Sequence, residues 1–275
     1  MAEPLLQELE AARELAVAAG AILMRHYAAM PEVEWKGVNN PVTAADREAS
    51  AFITSALRQR FPGDAVLSEE ESDSLNRLKN SRVWIIDPMD GTKEFISRVG
   101  EFAVMIGLAV DGVARVGAVY HPGPAALYFA ASGQGAFVQD GRGVTPLHVD
   151  PQSDCSKARI ALSRSHHSAR VDRVRQRLNI TDAIQRGSIG LKIALLCEGL
   201  AHLYLHTNDR TSQWDTCGPD VILQEAGGRM TDIDGAPLVY NRRETGNLRG
   251  VIASNGALHD RIVQAAREEN AFGRG

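Results

Sequence analysis

Val83-Trp84-Ile85-Ile86-Asp87-Pro88-Met89-Asp90-Gly91-Thr92 is the stretch on which the reading of this 275-residue chain turns. The four apolar residues read as a buried strand, and the strand ends in two carboxylates and a glycine-hydroxyl turn. Such an end can aim both carboxylates of Asp-x-x-Asp into one cleft, and oxygen-only ligands suit Mg²⁺ rather than zinc or copper. Gly91 lets backbone N–H groups come close to an anion, and a helix starting near Thr92 would add its unpaired amides and positive dipole end. An ordinary Asp-Gly turn closing a strand is the plainer alternative.

Other acids lie at the ends of other elements. Ala65-Val66-Leu67-Ser68 reads as a short strand with Glu69-Glu70-Glu71 at its end, where three adjacent acids repel one another unless solvated or bound to cations. For Glu71 a solvated loop is the expectation, since the polar segment from Ser72 to Ser81 follows. Trp214-Asp215-Thr216 precedes the helical pattern Val221 to Ala226, which Gly227-Gly228 closes, so Asp215 sits at a helix start as a cap, a ligand or both. Thr43-Ala44-Ala45-Asp46 has the spacing of a capping box, with Asp in place of the usual Glu or Gln.

Together these pieces resemble the lithium-sensitive, magnesium-dependent phosphatase superfamily that includes inositol monophosphatases and 3'(2'),5'-bisphosphate nucleotidases. The match runs from Asp46 to about Asn255: a Glu-Glu at a strand end, Asp-Pro-x-Asp-Gly-Thr, and Trp-Asp before a helix ending Glu-Ala-Gly-Gly. Three stretches look more like the nucleotidase branch: Gly91-Thr92-Lys93-Glu94-Phe95, Ser163-Arg164-Ser165-His166, and Trp214-Asp215-Thr216-Cys217 with Pro219. Gly187-Ser188-Ile189-Gly190-Leu191-Lys192 resembles the family's Gly/Ser-rich run before Lys, with a departure in spacing.

The resemblance implies an α+β fold in stacked αβαβα layers, the sugar-phosphatase sandwich, with a metal site in the cleft between two halves. It implies hydrolysis of a phosphate monoester by a metal-activated water, without a phosphoenzyme. One Mg²⁺ would be held by Glu69, Asp87 and the Met89 carbonyl, and a second by Asp87, Asp90 and Asp215, such ions sitting ~3.5 to 4 Å apart. Asp46 and the Thr92 hydroxyl would orient or deprotonate the water, with Glu70 behind them and a third, weaker cation nearby. Gly91, Thr92, Ser165, His166, Ser188 and Lys192 would meet phosphate and the rest of the substrate. The expected substrate is adenosine 3',5'-bisphosphate and the alternative inositol 1-phosphate, with Li⁺ as an inhibitor. A catalytically silent Mg²⁺- or nucleotide-binding regulator is the competing class.

Composition sets the outer bounds. Hydrophobic content of 44% with 23% charged residues is that of a soluble globular protein able to bury a substantial core. A formal charge of −4 offers no basic footprint for duplex nucleic acid, so an anionic small molecule needs cations or local Lys and Arg. Cys155, Cys197 and Cys217 form no C-x-x-C pair, which argues against a disulfide framework or zinc knuckle and fits a reducing compartment. The N-terminus carries Glu3, Glu8 and Glu10, and no apolar run reaches spanning length. A cytoplasmic monomer or homodimer is expected.

Leu5, Leu9, Ala12, Ala16, Ala19 and Leu23 step by four and three and predict an opening helix. Pro31 to Pro41 is rich in turn formers, and a second helix runs from about Ala44 until Pro62-Gly63 stops it. Asp111-Gly112 between Ala103–Val110 and Val113–Tyr120 predicts a two-residue hairpin, with further strands at 126–131 and 136–139. Around Asp150-Pro151-Gln152-Ser153-Asp154 the pattern changes to alternating strands and helices, which places a boundary between a half at 1–150 and a half at 151–275. Most metal ligands fall in the first half, Asp215 and the substrate contacts in the second.

Overall fold

Side chains alternate across a strand, so a strand buried on both faces feeds two cores at once. The strand Arg82–Asp90 does this: Trp84 and Ile86 enter one apolar cluster while Val83 and Ile85 enter another. The computed structural model describes residues 5–29, 33–37, 40–165, 168–207 and 211–272.

The first part of the chain runs through α1 (Leu6–Ala29), β1 (Val33–Gly37), β2 (Asn40–Thr43), α2 (Ala44–Arg60), β3 (Ala65–Ser68), β4 (Arg82–Asp90) and α3 (Thr92–Ile96). Strands β5 (Ala103–Val110), β6 (Val113–His121), β7 (Ala126–Ala131), β8 (Ala136–Asp140) and β9 (Gly143–Pro146) follow. Then come β10 (Arg159–Ser163), α4 (Ala169–Arg177), β11 (Asp182–Arg186), α5 (Ile189–Cys197), β12 (Leu203–His206) and α6 (Gln213–Glu225). The described chain closes with β13 (Arg229–Thr231), β14 (Val251–Ser254) and α7 (His259–Phe272).

Strands β3 to β9 form one seven-stranded sheet in sequence order, antiparallel except for the parallel pair β3–β4. A five-stranded mixed sheet has the order β11-β10-β12-β14-β13. Helices α1 and α2 cover one face of the large sheet, where Leu15, Leu23 and Ile53 meet Trp84, Ile86 and Ile106. Helices α5 and α6 lie between the sheets, with Leu191, Ile193 and Ile222 packed against Met105 and Val119 on one side and Tyr204 and Ala253 on the other. On the outer face of the small sheet, Val171 of α4 and Ile262 of α7 meet Leu203, Leu205 and Ile252. The order is therefore helix, sheet, helix, sheet, helix.

The middle layer comes unusually close to the large sheet. Gly107 and Gly117 are paired across β5 and β6, and Gly218 of α6 rests on them. A Cβ on Gly117 would lie 2.2 Å from the Gly218 carbonyl oxygen, and one on Gly107 would lie 2.7 Å from the Gly218 nitrogen. Three residues without side chains thus let α6 press against the sheet near its N-terminal end, one turn beyond Asp215.

Two local features differ in how far their residues announce them. Asp111 and Gly112 adopt φ of 52° and 77°, the paired positive values a tight hairpin needs. The segment from Pro31 to Pro41, expected to be a turn-rich connection, instead contains the antiparallel ribbon β1–β2. Val33-Glu34-Trp35-Lys36 alternates apolar with charged residues, a strand pattern that the flanking prolines mask.

Candidate active site

Asp87 and Asp90 are three residues apart, so a regular pleat would send them to opposite faces. Strand β4 avoids this: Asp87 pairs with Met105 and Asp90 with Ala103, so one extra residue on β4 bulges between them. The bulge, which holds Pro88 and Met89, returns both carboxylates to the face that packs on α5 and α6. Asp87 Oδ1 accepts from the Met89 N–H at 2.9 Å, which fixes its rotamer. Asp90 Oδ2 accepts from the Ser188 hydroxyl at 2.6 Å and from the amides of Ile189 and Gly190. The first turn of α5 thereby holds Asp90 with unpaired helix donors.

The other acids arrive by a shared local device. Asp215 is the third helical residue of α6, and its Oδ2 accepts from the Ser212 N–H at 2.6 Å. Asp46 is the third helical residue of α2, and its Oδ2 accepts from the Thr43 N–H and hydroxyl, each at 2.7 Å. In both cases a capping box orients a carboxylate, which is why Asp rather than Ala can start these helices under deep burial. Asp87, Asp90 and Asp215 offer oxygens that all lie within 4.8 Å of one another. Glu69 follows β3, with its N–H bonded to the Ile86 carbonyl at 3.2 Å beside the same strand end.

Three buried or half-buried acids at this spacing cannot all hold charge cheaply. Burial, then the charges of Glu69, Asp90 and Asp215, push the Asp87 carboxyl well above the usual carboxylate range. Burial, then Asp90 and Glu69, do the same to Asp215. Divalent cations would relieve that repulsion, and the donors present are all oxygens, with the Met89 carbonyl available beside them. The residues fit hard cations such as Mg²⁺.

Beside this cluster, the Thr92 hydroxyl lies 3.2 Å from Asp46 Oδ1 and 3.2 Å from the Met89 carbonyl oxygen. A hydroxyl carries one proton, so it donates to one of them and can accept from a water. Burial raises Asp46 to about 6 against the lowering effect of Thr43, and Glu70 adds to the rise. A carboxylate poised there sits closer to neutrality than an exposed one, as a proton acceptor needs.

The residues expected to meet substrate fall into three groups. Gly91 (φ 98°) and Thr92 start the single-turn helix α3 at the cluster. The Ser188 and Ser165 hydroxyls are directed onto carboxylates, Asp90 and Glu94 respectively. Lys192 is fully buried, with Nζ 3.4 Å from the Arg186 carbonyl oxygen and 5.3 Å from the Tyr204 ring centre. Burial lowers its pKa, and the charges of Asp90, Glu94 and Asp215 act against that lowering by favouring the charged form. His166 lies outside the described residues. Glu71 turns away to Arg58 at 2.5 Å and Thr54 at 2.7 Å.

Some of the arrangement has no counterpart in the motifs. Glu101, 8% exposed, joins Arg164 to the amide of Gly187. Asp220, one and a half turns along α6 from Asp215, is buried against Tyr240 and Gln224 at 2.9 and 2.7 Å. Burial raises Asp220 to about 6.

Comparison with known proteins gives a consistent result. The profile described as "Inositol monophosphatase family" matches residues 5–271. The chain is 35% identical over 238 residues to the 3'(2'),5'-bisphosphate nucleotidase CysQ of Aggregatibacter actinomycetemcomitans, covering 84% of this chain and 87% of that protein. It is 33% identical over 228 residues to the histidinol-phosphatase of Mycobacterium tuberculosis, covering 81% of this chain and 83% of that one. The crystal structure of CysQ from Bacteroides thetaiotaomicron superposes with a TM-score of 0.77 at 31% identity, covering 90% of this chain and 97% of that chain.

Proposed function

This chain belongs to the inositol monophosphatase family, and on that premise we propose that it is a Mg²⁺-dependent 3'(2'),5'-bisphosphate nucleotidase. The reaction is hydrolysis of a phosphate monoester, adenosine 3',5'-bisphosphate giving adenosine monophosphate and phosphate. The observation that carries the reading is the convergence of Asp87, Asp90 and Asp215 within 4.8 Å beside the Asp46–Thr92 pair, in a chain related to nucleotidases.

Asp87, Asp90 and Asp215, with Glu69 and the Met89 carbonyl, are the proposed holders of two or three Mg²⁺ ions. When bound, such ions lower the pKa of a water, polarise the phosphoryl group and stabilise the leaving oxygen. The protein's own part is placement and proton handling. Asp46 Oδ1 and the Thr92 hydroxyl orient the attacking water and take its proton, with Glu70 behind them. Gly91 and Thr92 face the phosphate, while Ser188 and Ser165 hold Asp90 and Glu94 in place beside it. Lys192 offsets the acid cluster and favours a second anionic group on the substrate.

The halves 1–150 and 151–275 are proposed to be inseparable for activity, because Asp87 and Asp90 come from one and Asp215 from the other. Among the described residues no helix is long and apolar enough to cross a membrane, and a cytoplasmic monomer or homodimer is the proposed state. A second reading, a small alcohol phosphate as substrate, is favoured by the relative that hydrolyses histidinol phosphate by name. Phosphate release with Mg²⁺ from adenosine 3',5'-bisphosphate, inositol 1-phosphate and histidinol phosphate separates the readings. The bisphosphate is expected to lead in kcat/KM by at least about tenfold, ~1.4 kcal/mol in transition-state binding. A lead for either other ester would overturn the nucleotidase assignment and leave the metal site standing.

A further inference from the structure

Glu101 lies on the loop between α3 and β5, outside every motif, yet three site segments meet on it. Its side chain, 8% exposed, accepts from Arg164 Nε at 2.7 Å and Nη2 at 2.8 Å in a two-pronged pair. It also accepts from the Gly187 N–H at 2.6 Å, and Arg186 Nη1 lies 3.4 Å away. Arg164 precedes Ser165, and Gly187 precedes the Ser188 that holds Asp90. The Glu101 backbone closes the third side. A Cβ on Gly187 would lie 2.6 Å from the Glu101 carbonyl oxygen, and a Cβ on Gly91 2.7 Å from the same atom. The phosphate turn and the start of α5 therefore pack against one peptide unit, each at a residue with no side chain.

Burial raises the Glu101 pKa, but Arg164, the Gly187 amide and Arg186 outweigh it and hold the carboxyl below its ordinary value. The group is ionised under any assay condition near neutrality, so the link is permanent rather than a switch. Two charge-assisted bonds to one guanidinium fix direction as well as distance.

We propose that Glu101 is a positioning residue that locks the Arg164–Ser165 segment and the Gly187–Ser188 turn against the Asp90–Gly91 site, and so sets affinity for the part of the substrate beyond the reacting phosphate. This rests on the reading of the site as a phosphatase centre. Glu101 makes no bond described above to the acid cluster or the Asp46–Thr92 pair and reaches Asp90 only through the Gly187–Ser188 turn, so the larger part of its effect belongs in KM and the smaller part in kcat.

The test is a double-mutant cycle with Glu101→Gln and Arg164→Gln, run on whichever of adenosine 3',5'-bisphosphate and inositol 1-phosphate the wild type prefers. A glutamine has one acceptor oxygen, and because Arg164 donates to both Glu101 oxygens its N–H₂ must face one of the two Arg164 donors, donor against donor. Each single variant is expected to raise KM about tenfold with kcat within about threefold, and the double variant to raise KM about tenfold rather than about a hundredfold. With p-nitrophenyl phosphate, which has no comparable second group, KM should move by less than about twofold. Glu101→Asp, which keeps the charge on a shorter arm, should recover part of the loss. Additive KM effects, a loss confined to kcat, or equal losses on p-nitrophenyl phosphate would overturn the proposal. Should Glu101→Gln fail to fold, Arg164→Gln alone decides: its side chain is 37% exposed, and unchanged KM in that variant refutes the link. A wrong substrate assignment would show in the wild type, whereas a wrong role for Glu101 would show only in the variants.

Discussion

Asp90→Asn separates the metal reading from a structural one, because the two predict opposite effects on the metal-free protein. Asp90 Oδ2 accepts from Ser188, Ile189 and Gly190, and an asparagine oxygen can accept from the same donors. The substitution therefore keeps the contact with α5 and removes one negative charge. Two unit charges 4.8 Å apart repel by ~3.5 kcal/mol at an effective dielectric of about 20. Asp90 exerts that repulsion on both Asp87 and Asp215, which answer by holding protons more tightly. Proton uptake caps the relief at ~1–2 kcal/mol, and at ~2–4 °C per kcal/mol the variant should melt about 2–8 °C above the wild type in chelator. Saturating Mg²⁺ should then stabilise the wild type by ~2.7 kcal/mol at a hundred times the dissociation constant, and the variant far less. Turnover should fall by more than about a hundredfold, ~3 kcal/mol of transition-state stabilisation. The assays are thermal melts with and without Mg²⁺ and phosphate release at saturating Mg²⁺. Near-normal turnover, or a variant that melts well below the wild type in chelator, would rule out Asp90 as a metal ligand.

Two further predictions follow from single contacts. Thr92→Val keeps shape but removes the hydroxyl between Asp46 and the Met89 carbonyl; kcat should drop ~30- to 100-fold with the Mg²⁺ half-saturation unchanged, and a rate within about threefold of wild type would contradict the water-orienting role. Asp220 has its folded pKa raised from 3.8 to about 6, so its favourable contribution is present at low pH and is lost as pH rises through 6. Asp220→Asn lacks that loss, so the wild type should lose ~1.4 kcal/mol relative to the variant between pH 5 and 8 in chelator, as read by urea melts at both values. Parallel pH dependences would show that the buried carboxylate is not the source.

What the sequence revealed and what it concealed divide along a physical line. Single elements follow from local pattern, Val83 to Ile86 as a buried strand and the step-four face of α1 as a packing helix, whereas the layer order is implied only by the family resemblance. Thr43 to Asp46 was legible as a capping box because its two partners are three residues apart. The β4 bulge was not, since nothing in Asp-Pro-Met-Asp states whether the odd spacing splits the carboxylates or unites them. Hydroxyl partners are also tertiary facts: Ser188 and Asp90 are 98 residues apart, and Ser165 and Glu94 are 71 apart. Glu101 meets Gly187 across 86 residues and carries no motif. Strand β9, exposed along its length, carries one large apolar residue, Val144, too little to show an alternating pattern.

Asp87 and Asp90 at the end of β4, joined by Asp215 of α6, are proposed to hold cations which drive phosphate-ester hydrolysis. The most direct test of that role is the rate of phosphate release from adenosine 3',5'-bisphosphate as Mg²⁺ is returned to protein stripped with chelator. Without the ion no turnover is expected, with it saturable recovery, and Asp215→Asn should fail to recover at the Mg²⁺ concentration that restores the wild type. Turnover that survives stripping, or an Asp215→Asn variant that recovers alongside the wild type, would contradict that role.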